Sequence, residues 1–237
     1  SAASDVYKRQ ALYLVFLSIL NQNILKLQYL YSRSHCDFCH TIIKPLDLLP
    51  IISFLKLRGQ SRCCNQPLQR LYLIGEIVSF GAIFLFYPTH FNIHFTLFLT
   101  TFLFLLTMCL YDIHSMHIDL RLLFVYTIVS VFVTQTYFGN FVMIFLISHV
   151  IYLFASKFIG YGDILLFNIL GLIFPLNFFF FIVVFTFIIG GIFAIILKFF
   201  SFKDIKYLPL IPFIFISFVV TSLVYRHILF LLGGEFY

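Results

Sequence analysis

Charge is scarce in this chain. Of 237 residues, 15 are Lys or Arg and 9 are Asp or Glu, where a soluble domain of ordinary composition is roughly a quarter charged. Long uncharged runs and 35 phenylalanines leave too little polar surface to face water on all sides. A soluble globular fold is therefore excluded. The composition is that of an all-α polytopic membrane protein, and the lipid bilayer is its first partner. The net charge of +6 carries no argument for nucleic acid, because the placement of basic residues matters more than their number. An internal repeat is also missing, and the first ten residues lack the apolar core of a signal peptide. Those residues, "SAASDVYKRQ", resemble translated adaptor read-through and are set aside as a non-native leader, which would leave the first helix truncated.

A helix needs about 20 apolar residues to cross a bilayer. Eight spans are expected, with seven as the alternative count: 11–25, 71–88, 91–111, 122–138, 140–156, 164–176, 178–199 and 208–232. The sixth is short and ends at Pro175, as a partial or tilted helix would. A long polar segment, 26–70, separates the first two spans, and 71–237 forms the main membrane domain. Lys26, Arg33, Lys44, Lys56, Arg58, Arg62 and Arg70 all lie in that polar segment. If it is cytoplasmic, alternation puts Arg121, Lys157, Lys198, Lys203 and Lys206 on the same side, and Arg226 alone opposes them. The turns at 88–92, 139–140 and 175–177 hold no Lys or Arg, which supports that orientation.

The same alternation brings Asp112, at the end of the third span, and Asp163, at the start of the sixth, to one membrane depth. Ionisable groups at a membrane border are costly and point to function by default. Two carboxylates held close oppose double ionisation and tend to share a proton, so one can activate water while the other protonates the carbonyl or the leaving amine. Gly160 and Gly162 precede Asp163 in "FIGYGDILLFNILG" and would give a substrate backbone close access. The competing structural reading is an interfacial turn in which Asp163 caps the next helix. Glu76, about one turn inside the second span, is a supporting acid, and Asp119 is a minor competitor for the second catalytic carboxylate. His114 and His117 could tune the pair. Asn168 is expected to make an interhelical hydrogen bond, and Cys109 to be a small packed core residue.

Cysteines cluster in the polar segment, "RSHCDFCHTIIKPLDLLPIISFLKLRGQSRCCNQPL" (33–68). Cys36 and Cys39 form a C-x-x-C pair, and a second pair about 25 residues on would complete a tetrahedral zinc site. Cys63 and Cys64 are adjacent instead, and neighbouring cysteines do not readily offer both sulfurs to one ion. Disulfides are not expected on a cytoplasmic face.

"GYGDILLFNILG" resembles the GxGD motif of intramembrane aspartic proteases, and specifically that of type IV prepilin peptidases. "YDIHSMHIDLRLL" is similar to the family's other catalytic stretch, although Ile118-Asp119-Leu120 stands where Ile-Pro-Asp or Ile-Pro-Asn is usual. "GEIVSFGAIF" and "LPLIPFIFISF" resemble its second helix and the proline-containing segment before its last helix. The likeness runs in order from about residue 15 to 225. It implies that Asp112 and Asp163 are the catalytic dyad, with no cofactor for proteolysis. The implied substrates are type IV prepilins or pilin-like competence or secretion precursors, cut after a leader glycine on the cytoplasmic face of a bacterial inner membrane.

The resemblance also covers the cysteine segment. In fuller members this segment carries two C-x-x-C pairs and is associated with N-methylation of the new N-terminus by S-adenosylmethionine. Aligned on Gly59, Arg62 and Cys64, the first cysteine of the second pair falls on Ser61. Cys36, Cys39 and Cys64 then keep the family spacing, and the fourth zinc ligand would be Cys63, His35, His40 or water. Cleavage without methylation is one expectation from this departure. A carrier that moves protons or cations through Asp112, Asp163 and Glu76 is the alternative from another class. It is disfavoured by the absence of a repeat and by both aspartates sharing one face.

Overall fold

The computed structural model describes residues 36–68 (except 37, 45, 46 and 48–50), 70–86, 94–156, 159–200 and 208–231. The expected leader and the first span, 11–25, lie outside the described residues. Contacts divide the chain into two units, residues 1–84 and 85–237. All elements among the described residues are helical apart from one isolated bridge, Gln60 with Pro67. They are α1 (Ile52–Lys56), α2 (Arg70–Phe86), α3 (Phe95–Ser115), α4 (Leu120–Val133), α5 (Phe138–Ala155), α6 (Tyr161–Ile173), α7 (Leu176–Phe200) and α8 (Ile211–Leu231).

Helices α2 to α8 coincide, within a few residues at each end, with the seven expected spans that follow the first. Four of them, α3, α5, α7 and α8, are long and apolar enough to cross a membrane, whereas the apolar stretches Leu73–Leu85, Leu120–Val133 and Tyr161–Ile173 are shorter. The chain is thus an all-α, multi-pass membrane protein. The shortness of α6 has a local cause: it stops at Ile173, two residues before Pro175, since the residue preceding a proline is pushed out of helical geometry.

Within the second unit α3 is the interior helix. Two-thirds of its membrane window (67%) is buried, against 6% for α5 and 11% for α7, which turn most of their surface outward. Helix α8 packs along α7 and α3, α5 pairs with α6, and α4 contacts both α3 and α6. In lipid this packing gains little from hydrophobic transfer and rests on close van der Waals fit and interhelical hydrogen bonds. Both are present. The Phe104 and Tyr126 rings stack 3.8 Å apart, and the Tyr126 hydroxyl lies 2.9 Å from Thr101 Oγ1. Phe98, Phe174, Phe178 and Phe218 join α3, the α6–α7 turn, α7 and α8 through ring contacts of 5.0–6.3 Å. Ser148 Oγ of α5 donates to Asn168 Oδ1 of α6 at 3.0 Å, the interhelical bond expected of Asn168. Cys109 is buried in α3, as expected.

Gly171 lets α5 come against α6, because a β-carbon there would collide with Ile144 Cδ1. Gly191 of α7, by contrast, has no atom within 4 Å of the same position. Gly171→Leu should destabilise the protein by about 1–3 kcal/mol, by overpacking. Gly191→Ala should leave stability unchanged within about 1 kcal/mol. Thermal unfolding of the purified protein in detergent checks both.

Candidate active site

On α3 the buried positions Phe98, Phe102, Leu105 and Cys109 recur at helical spacing, and Asp112 continues that stripe at the helix end. The carboxylate is therefore carried inward, 6% exposed, while its neighbour Ile113 is 44% exposed. Met116, in the left-handed region at φ 53°, ends the helix and donates its N–H to the Asp112 carbonyl. The chain then turns through Ile118 into α4. Asp119 is the N-cap of α4, its Oδ1 accepting from the Arg121 N–H at 2.8 Å. That capping bond gives Asp119 a structural role, and it does not line the cavity that Asp112 faces.

Asp163 lies in the first turn of α6, where the exposed N–H groups and the helix dipole favour negative charge. The N-cap position is Gly160, and the Asp163 side chain, three residues on, accepts from the Gly160 backbone N–H, so Asp163 also serves the helix start as the structural reading expected. The two carboxylates open on one cavity of about 610 Å³, walled also by Met116, His117, Ile118, Gly160, Tyr161, Gly162, Phe187 and the 208–210 segment. His117 reaches Asp112 electrostatically, whereas the side chain of His114 is outside the described residues.

Each glycine gives its space to protein. A β-carbon on Gly160 would stand 3.0 Å from Asp163 Oδ2, and one on Gly162 would stand 2.7 Å from Ile118 Cδ1 and 3.0 Å from Ile118 Cβ. The absent side chain of Gly162 therefore lets the start of α6 settle on the turn that follows Asp112. Three contributors were not foreseen from sequence. The Ile211 N–H, first of α8, donates to Asp112 Oδ2 at 3.3 Å. Ile118 fills the space beside Gly162. Tyr161 walls the cavity with its hydroxyl 3.4 Å from His149 Nε2. A backbone donor leaves no side-chain signature. The apolar run 208–232 and its two prolines, Pro209 and Pro212, gave the helix but not this contact.

In the first unit, Glu76 is buried in α2, and its Oε2 accepts from the Ile51 N–H at 2.8 Å. Ile51 sits at φ 58°, an uncommon conformation for a β-branched residue, so the carboxylate holds a strained turn ahead of α1.

The cysteine segment folds as two matching turns. Cys36 N–H bonds to Thr41 O and His40 N–H to Cys36 O; Ser61 N–H bonds to Gln66 O and Asn65 N–H to Ser61 O, all at 2.8–2.9 Å. His40 and Asn65 both adopt φ 54°. Ser61 thus stands where Cys36 stands in the first turn, and its Oγ accepts from the Gln66 N–H at 3.0 Å. Cys63 supplies the missing sulfur. The Sγ atoms of Cys36, Cys39, Cys63 and Cys64 all lie within 4.8 Å of one another, at 3.7 Å for Cys36–Cys64, 3.0 Å for Cys39–Cys63 and 3.9 Å for Cys63–Cys64. Sulfurs placed tetrahedrally about zinc at 2.3 Å are about 3.8 Å apart, so the donor set fits that ion. Of the candidates for the fourth ligand, Cys63 is the one whose sulfur joins the cluster, although it adjoins Cys64 in sequence. His40 is not one of the converging groups, and His35 is outside the described residues. The Thr41 hydroxyl beside Cys39 lowers its thiol to about 6, Cys63 adding to the effect, whereas burial pushes Cys36 up to about 12.

Two known families match in sequence. The bacterial peptidase A24 N-terminal domain matches residues 11–91, and the type IV leader peptidase family matches residues 97–195. A prepilin leader peptidase/N-methyltransferase of Vibrio cholerae is 28% identical over 220 residues, 84% of this chain and 85% of that protein. Proteins of the same description from Bacillus subtilis and Klebsiella pneumoniae are 32% and 39% identical over 101 and 54 residues. Those two matches cover 42% and 23% of this chain, but only 40% and 23% of the respective relatives. No solved structure matches the chain significantly.

Gly162→Val should cost about 1–3 kcal/mol of stability, because its β-carbon meets the body of Ile118 rather than a flexible tip. Pairing it with Ile118→Ala should recover part of that loss, as expected for side chains in direct contact. Thermal melts of the two single variants and the double variant measure the coupling.

Proposed function

Because the chain belongs to the type IV leader peptidase family, we propose that it is a membrane-embedded aspartic endopeptidase of the bacterial inner membrane, acting on prepilins or pilin-like precursors. The observation that carries this reading is that Asp112 and Asp163, 51 residues apart in sequence, open on one cavity. One carboxylate takes a proton from water as its oxygen attacks the scissile carbonyl carbon. The other gives a proton to the carbonyl oxygen. The tetrahedral diol then collapses with cleavage of the C–N bond, and the amine leaves with a proton returned through the dyad. Neither a metal nor a covalent nucleophile enters this step. The carrier alternative gains nothing from a cavity in which both acids lie at helix ends, since transport sites lie near the bilayer midplane.

The basic residues of 26–70 support a cytoplasmic position for that segment and for the dyad. The four gathered sulfurs support a closed structural zinc site, Cys36, Cys39, Cys63 and Cys64 being its ligands once deprotonated. With the set complete, N-methylation of the new N-terminus from S-adenosylmethionine is the second activity of this reading. Mass spectrometry of the processed product should show one added methyl group. A product that stays unmethylated with the donor present would limit the chain to cleavage.

Co-expression with a tagged prepilin tests proteolysis. Asp112→Asn and Asp163→Asn should each slow leader removal by roughly 10²–10⁴-fold, the range for losing a general acid or base. Cleavage at the normal rate in either variant would refute the dyad. For zinc, metal analysis should give one ion per chain in the native protein and a loss in Cys63→Ser. The double variant Ser61→Cys/Cys63→Ser should regain it, because Ser61 occupies the place of the absent cysteine.

A further inference from the structure

We propose that a groove between α5 and α7, floored by α6, receives the apolar helix that follows the cleaved bond in the substrate. The inference rests on the peptidase reading and assigns the surface that would select its substrates. Helix α5 packs on α6 and α6 on α7, which leaves a cleft of about 460 Å³ above Ile164 and Phe167. Among the described residues no charged side chain lines it, and the polar ones are Ser148 and Asn177. The Ser148 hydroxyl is already directed at the Phe145 carbonyl and Asn168 Oδ1.

Three observations favour a peptide helix as the occupant. The groove is continuous with the carboxylate cavity, for Ile159 and Phe187 wall both. Its floor begins at Ile164, the residue after Asp163, so a chain cut at the carboxylates would pass directly onto apolar surface. The chain reverses at Phe174 and Pro175, which returns Phe187 to the depth of Asp163. From Leu176 to Phe187 the α7 wall is about 16 Å long, enough for three turns of helix. Ile147, Ile151 and Phe180 are 53%, 47% and 59% exposed, so the cleft is open along its side to an apolar segment arriving through the bilayer. A lipid acyl chain shares the apolar chemistry but has no need of a path to two carboxylates.

The full chain, reconstituted in phospholipid vesicles, would be given two substrates. One is a prepilin with its apolar helix, and the other is the same leader peptide truncated a few residues past the cleavage site. Ile147→Trp and Val183→Trp fill the groove. The ratio of kcat/KM for the helix-bearing over the truncated substrate should fall by about tenfold in each. Phe132→Trp, on the outer face of α4, should leave the ratio at the native value. Because a filled groove could disturb folding, a photo-cross-linking residue at position 180 in the Asp163→Asn protein supplies a second measurement. It should capture the substrate's apolar helix, and the same residue at position 132 should not. An unchanged ratio together with capture of lipid alone, or of a second copy of the chain, at position 180 overturns the groove and leaves the peptidase standing. Failure of the native chain to cut either substrate overturns both.

Discussion

A carboxylate at the end of a membrane helix must be given its hydrogen-bond donors by the protein, because hydrocarbon offers none. Asp112 meets that constraint through the Ile211 N–H, which ties the end of the interior helix α3 to the start of α8. The bond spans 99 residues of sequence. Asp163 meets it by sitting in the first turn of α6, among N–H groups that have no partner within the helix. Both acids are thus served by backbone at helix beginnings, and among the described residues no Lys or Arg lines their cavity. A basic partner would have fixed one carboxylate as an anion. Backbone donors hold it in place without doing so, which suits the proton sharing that the proposed dyad would need.

The geometry that brings the acids together depends on side chains that are absent. Helix α6 is short and is seated at both ends by glycine: Gly162 against Ile118, beside the Asp112 turn, and Gly171 against Ile144 of α5. Neither position has room for a β-carbon without displacement of its neighbour, so the depth of Asp163 relative to Asp112 is set by contact rather than by loop length. Ile118 packs on Gly162 while its neighbour Asp119 caps α4.

The cysteine turns show the same economy of backbone. Their paired hydrogen bonds and left-handed residues repeat with Ser61 in place of a cysteine, and Ser61 keeps the turn closed through its own hydroxyl. Cys63, two residues along, brings its sulfur to the cluster where Ser61 has none.

Composition and period were enough to establish an all-helical membrane chain, because burial in lipid requires every backbone group to be satisfied within a helix and that requirement is written into uninterrupted apolar runs. The positions of α2 to α8 followed from those runs, and alternating orientation led to the expectation that Asp112 and Asp163 lie at one depth. Three assignments needed the tertiary structure: Asp119 as a cap, Cys63 as the convergent fourth sulfur, and the glycines as seats for Ile118 and for the Asp163 carboxylate. Each depends on which atoms meet across as many as 44 residues, from Ile118 to Gly162, and a one-dimensional pattern carries no distances. The Ile211 N–H is the clearest case. Every residue but proline has such a group, so only the folded chain could show which one faces Asp112.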